Sequence, residues 1–131
     1  MVRKLNLLIV SSRLEMKHDL LRVLDGFPLN VYAAGSVKQA EDALSKHAIH
    51  VVLCDERISD GTYHDVLALT IDVVTKIQFI LLLTTGGREE YREAMQLGVT
   101  EVVHSRFAPT DIELALIHAI RGQTPAMHVA A

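Results

Sequence analysis

The sequence predicts an α/β fold: a doubly wound, five-stranded parallel sheet in the order 2-1-3-4-5 with five helices. Three observations predict it. Short runs such as "LLIV", "VVLC" and "FILLL" are apolar along their whole length, as strands buried on both faces are. Longer segments with apolar residues at helical spacing separate them, so strands and helices alternate. The chain has 131 residues, which suits one domain around one core, and only 5% are aromatic, so that core is aliphatic.

The elements follow in order. "LNLLIV" (Leu5 to Val10) is the first strand. In "LEMKHDLLRVLDGF", Met16, Leu20, Leu21 and Leu24 recur at helical spacing, and Gly26 with Pro28 ends the helix. "NVYAA" is a weaker second strand. Ser36 stands where an N-cap belongs, ahead of a helix with Val37, Ala40 and Leu44 on one face. "IHVVLC" is the third strand, "DERISDGTY" a loop, and "HDVLALTIDVV" a short helix. "FILLL", entered from Gln78, is the fourth strand. "REEYREAMQLG" is a helix closed by Gly98, the residue favoured just past a helix end. "TEVV" is the fifth strand. Thr110 with Glu113 reads as a capping box for the last helix, "DIELALIHAIRG". The domain is expected to span 1–122, with 123–131 a tail or linker stub.

Composition excludes several function classes. The formal net charge is -3 and no Lys/Arg-rich run occurs, so nothing calls for nucleic acid. The apolar run near the N-terminus, Leu7 to Val10, is too short for a signal peptide or a membrane span. Cys54 is the single cysteine and sits in an apolar run, as a core residue of a protein in a reducing compartment. A cytoplasmic protein is expected.

In doubly wound sheets, sites form at the carboxyl ends of the strands, near the switch between strands 1 and 3. Those ends carry Ser11 and Ser12, then Asp55 and Glu56, with Thr84 and Thr85 after strand 4 and His104 and Ser105 after strand 5. Other features carry less. Ser11 and Ser12 have no identifiable base and no nucleophile elbow. His104 beside Ser105 lacks a third group. Gly86 and Gly87 lack the lysine of a phosphate-cradling loop. His47 and His50 have no acidic or Cys partners and read as solvated histidines. No set supplies a base, a nucleophile and an oxyanion group together, so an enzyme on this flavodoxin-like sheet ranks last.

"VVLCDERISDG", "FILLLTT" and "EAMQLGVTEVVHSRF" together resemble the receiver domain of bacterial two-component response regulators, over about residues 4 to 121. The resemblance implies that Asp55 is the phospho-acceptor and that Thr84 contacts the phosphoryl group. It also implies a signalling partner such as a histidine kinase. Contact or homodimerisation is implied through the face made by helix 4, strand 5 and helix 5. The last helix suits that role, because Ile112, Leu114, Leu116, Ile117 and Ile120 exceed what one buried face requires.

The departures define the expected function. Ser11 and Ser12 stand where the family has two acids that hold a divalent cation. Ser105 stands where it has a Lys, Arg106 where a Pro is usual, and Val102 where an aromatic switch is common. Phosphoryl transfer depends on positioning and charge neutralisation. A pair of unit charges about 4 Å apart at an effective dielectric near 20 is worth roughly 4 kcal/mol before desolvation. Losing two such ligands therefore weakens Mg²⁺ binding by orders of magnitude. Glu56 follows Asp55, but strand alternation turns it away. Asp55 is expected to be satisfied by Ser12, Ser105 or a nearby arginine, Arg13 or Arg57. The expectation is a receiver-like signalling domain, not an enzyme, with an impaired pocket that acts through protein contacts. It has no cofactor, and Mg²⁺ enters only if the pocket works. The alternative is a phospho-acceptor receiver that uses Asp55.

Overall fold

A computed structural model describes residues 4–71, 76–84, 87–104 and 107–122. The expectations for Thr85, Gly86, Ser105, Arg106 and the tail after Gly122 lie outside the described residues. The strands and helices run in the order β1 (Leu5–Val10), α1 (Leu14–Leu24), β2 (Leu29–Ala34), α2 (Val37–Lys46) and β3 (Val51–Asp55). Then come β4 (Arg57–Ile58), β5 (Gly61–Thr62), α3 (Tyr63–Ile71), β6 (Gln78–Leu83), α4 (Arg88–Leu97), β7 (Glu101–His104) and α5 (Pro109–Gly122). The main sheet is parallel, in the order β2-β1-β3-β6-β7. Counted over its own five strands, this is the expected 2-1-3-4-5. The loop after β3 holds a small antiparallel hairpin, β4–β5, where only a loop was expected. Strands of two residues show no alternation to read.

All residues of β3 and β6 are buried, which is why both are apolar except for Asp55 at the end of β3 and Gln78 at the start of β6. The period of two divides the core into two layers. Leu8, Val10, Val52, Cys54, Leu81 and Leu83 face the layer that holds Ala40, Tyr63, Val66 and Ala94 from α2, α3 and α4. Leu7, Ile9, Val51, Leu53, Ile80 and Leu82 face Leu20, Leu24, Ile112 and Leu116 from α1 and α5. Cys54 is a core residue, and burial, then the adjacent Asp55 charge, pushes its thiol well above the usual range. Leu21, expected in the core, is exposed, since it falls off the face that Leu20 and Leu24 share.

Helix ends follow local chemistry. Ser36 accepts a hydrogen bond from the Gln39 amide (3.0 Å), as expected of an N-cap. Glu90 turns back to accept from the Gly87 amide (2.7 Å), and this bond holds its carboxyl below the usual range. The α5 start corrects the sequence reading. The helix begins at Pro109, and Asp111, not Glu113, reaches back to the Ala108 amide (2.8 Å). Proline has its φ preset for the first helical position, so the helix begins one residue before Thr110.

The α4 terminus is a Schellman turn: Val99 N–H donates to Ala94 O (3.1 Å) and Gly98 N–H to Met95 O (3.2 Å). Gly98 has φ 108°, and a Cβ there would meet nothing within 4 Å. Gly98→Ala therefore tests backbone strain without a clash. It should cost about 1–2 kcal/mol in urea unfolding, with an unchanged m-value.

Candidate functional site

The carboxyl ends of β1 and β3 lie side by side, with Val10 paired to Cys54. This places the turn after β1 against Asp55, whose side chain is 3% exposed. Arg13 grips the carboxylate with two prongs. Its Nε donates to Oδ2 and its Nη2 to Oδ1, both at 2.8 Å. Ser11 Oγ adds a third bond to Oδ2 (3.1 Å), and the Glu56 amide a fourth to Oδ1 (3.0 Å). An ionised carboxylate has about four lone-pair sites, and here four donors meet it. Ser11 Oγ also accepts from the Arg13 amide (3.1 Å), which fixes the turn that presents the guanidinium.

Of the residues expected to satisfy Asp55, the structure brings Arg13 to it, and the serine that bonds it is Ser11 rather than the expected Ser12. Ser12 points elsewhere: it donates to Gly35 O (2.8 Å) and accepts from the Ser59 amide (2.7 Å). Arg57 lies in the β4–β5 hairpin and is exposed. Asp60, which the sequence did not single out, clasps the start of α2. It accepts from the Val37 amide (2.7 Å) and the Lys38 amide (3.2 Å). These bonds, Val37 first, hold its carboxyl below the usual range. The loops after β1, β2 and β3 are thus tied together. Gly61 permits this close approach: a Cβ there would come within 2.3 Å of Asp65 Oδ2 and 3.0 Å of Val37 Cγ2.

Thr84, just past the end of β6, has its hydroxyl engaged by a carboxylate. Its Oγ1 donates to Glu56 Oε1 (2.9 Å), and its amide reaches the same oxygen (3.2 Å). Asp55 and Glu56 therefore serve different partners, as alternation predicts. The sequence did not foresee that Glu56 would cross to Thr84. Its signal would have been an acid one residue beyond a strand end, beside a neighbouring strand that ends in a hydroxyl. His47 and His50 are partly buried, contrary to the solvated reading. His47 stacks on Tyr32 at 4.0 Å between ring centroids, and His50 Nδ1 accepts from the Asn6 amide (2.9 Å). Among the described residues, no group of three or more His, Cys, Asp or Glu is placed to share a metal ion.

No family model matches the chain, and neither does any curated protein. Solved structures do match. The signal receiver domain of a protein described as a LuxO repressor from Vibrio parahaemolyticus superposes with a TM-score of 0.88 at 12% identity, over 95% of this chain and 97% of that one. The non-phosphorylated HemR receiver domain of Leptospira biflexa gives 0.80 at 22%, over 89% and 94%. The chemotaxis response regulator CheY4 of Vibrio cholerae gives 0.81 at 16%, over 89% and 99%. The fold is that of receiver domains. At these identities the likeness is one of fold, and on this receiver fold Asp55 ends the third strand of the main sheet and Thr84 follows the fourth.

Two tests follow from the geometry. Arg13→Ala leaves a buried carboxylate without its cation. Since the Arg13 side chain is 48% exposed, the cost should be about 2 kcal/mol, below that of breaking a fully buried pair. Asp55→Asn in the same background should recover part of it, and a double-mutant cycle by chemical denaturation should give a coupling of about 1–2 kcal/mol. Asp60 has a depressed carboxyl, so its contribution is present above the unfolded value, near 3.9, and is lost as pH falls through the folded value. The protection factors of the Val37 and Lys38 amides should therefore fall only in acid, and Asp60→Ala should show low protection already at neutral pH.

Proposed function

We propose that this chain is a receiver-type domain of two-component signal transduction that does not catalyse a reaction of its own. Its phosphorylation chemistry at Asp55 is impaired, and it acts through protein–protein contacts. The saturation of the Asp55 carboxylate by Arg13, Ser11 and the Glu56 amide carries this reading. An attacking oxygen needs a lone pair, and each one here already accepts a bond.

A divalent cation, which the receiver fold implies, does not fit this donor set. Mg²⁺ asks for one or two carboxylates and near-octahedral geometry. The one carboxylate at the end of β3 that faces Ser11 is occupied by a guanidinium. Ser12, in place of an acid, is committed to Gly35 and Ser59. Arg13 does the neutralising instead, so no step is routed through a metal.

With the pocket closed, the signal leaves through a surface. Tyr91, Met95 and Leu97 on α4 and Leu114 and Ile117 on α5 are large apolar residues exposed to solvent. Between β7 and α5 lies a groove lined by Val102, Phe107, Leu114 and His118, with His118 hydrogen-bonded to Glu101. This α4–β7–α5 face is where a signalling partner such as a histidine kinase, or a second copy, would dock.

Incubation with acetyl phosphate and Mg²⁺, followed by intact-mass measurement, tests the proposal. No phosphorylated species should accumulate. A stoichiometric adduct lost in Asp55→Asn would instead establish a working phospho-acceptor. The combination Arg13→Ala, Ser12→Asp and Ser105→Lys should gain acceptor activity, because it frees Asp55 and restores one of the two missing acids and the Lys.

A further inference from the structure

Glu56 is a second carboxylate at the same sheet edge; its amide donates to Asp55, but its carboxylate accepts from Thr84. Oε1 takes both the amide and the hydroxyl of Thr84, the residue at which β6 gives way to the approach to α4. The Glu56 carbonyl accepts from the Tyr63 amide (3.0 Å), which closes the β4–β5 hairpin and starts α3. Tyr63 is buried in the core layer that also holds Leu83 and Ala94 of α4. Burial, then the charges of Glu93 and Glu56, raises the Tyr63 phenol, so its side chain lies within the field of a carboxylate on α4 and of Glu56 itself. His64 continues the line: its Nδ1 meets Thr62 Oγ1 at 3.1 Å, and its Nε2 lies 3.5 Å from Glu93 Oε1 on α4.

We infer that Glu56 is a resident anion that holds Thr84 in one conformation. Through the hairpin and Tyr63, it sets how α4 packs on α3. An anion arriving at the end of β6 would find the Thr84 hydroxyl already donated, so the α4 surface is set from inside the chain. This latch is separate from the Arg13–Asp55 pair and stands whether or not Asp55 can be phosphorylated.

Removing the latch from either side should give the same result. In ¹H–¹⁵N spectra, Glu56→Ala and Thr84→Val should both move the amide signals of Tyr91, Glu93 and Ala94 and the His64 ring signals. The Thr84 amide in Glu56→Ala should exchange about tenfold faster, as expected when a charged acceptor is lost. Thr84→Ser keeps the hydroxyl and should leave α4 unmoved. Arg13→Ala, which disturbs the other carboxylate, should shift signals around Ser11 and Asp55 and leave α4 where it is. The latch is refuted if Glu56→Ala or Thr84→Val leaves the α4 signals in place. It is equally refuted if Arg13→Ala moves them as far.

Discussion

The Asp55 carboxylate sits at the end of a strand whose five residues are all buried. A charge in that position must be met by fixed groups, because leaving it bare would cost several kcal/mol. Much of the sheet edge is arranged around that need. The turn after β1 presents Ser11 and Arg13 together, and the same bond that fixes Ser11 to the Arg13 amide sets where α1 starts. An arginine suits the task better than a lysine would. Its planar fork engages both carboxylate oxygens at once and holds their orientation as well as their charge. Ser12, between the two, is free to turn outward and tie the neighbouring loops.

The edge therefore carries two acids with two different solutions. Asp55 is met by the Arg13 guanidinium, while Glu56 accepts from the amide and hydroxyl of Thr84. Adjacent residues of a strand point to opposite sides, which keeps the two charges from sharing a site. Among the described residues, no buried side-chain nitrogen or oxygen lacks a hydrogen-bond partner. A polar network satisfied to this degree specifies one arrangement, since each alternative would strand a donor or an acceptor.

The strands and helices were legible because their periods are local. β1, β3 and β6 announce themselves as unbroken apolar runs, and Ser36 and Gly98 mark helix ends by their own chemistry. The β4–β5 hairpin was not legible, because two residues cannot show a period. At α5 the capping box read at Thr110 with Glu113 gives way to a start at Pro109, where Asp111 takes the Ala108 amide. The site shows the same division. Topology places Asp55 beside the turn after β1, so Arg13 could be named from sequence. Which of two adjacent serines faces Asp55 depends on the turn's dihedrals, and those were not readable. The partners of Glu56 and Asp60 lie on other elements, 28 and 23 residues away, beyond the reach of any local pattern.

The turn after β1, with serines at its start, could have left an open, polar hollow beside Asp55. It did not, because the guanidinium competes for Asp55 from within the same molecule. Any cation from solution must displace two charge-assisted hydrogen bonds and give up the bulk of its own hydration. It would find no second carboxylate to repay that loss, since Glu56 is turned to Thr84. The internal group carries no translational cost of association, an advantage worth several kcal/mol in other settings. The Asp55 carboxylate at the sheet edge is thus met by side chains of its own chain.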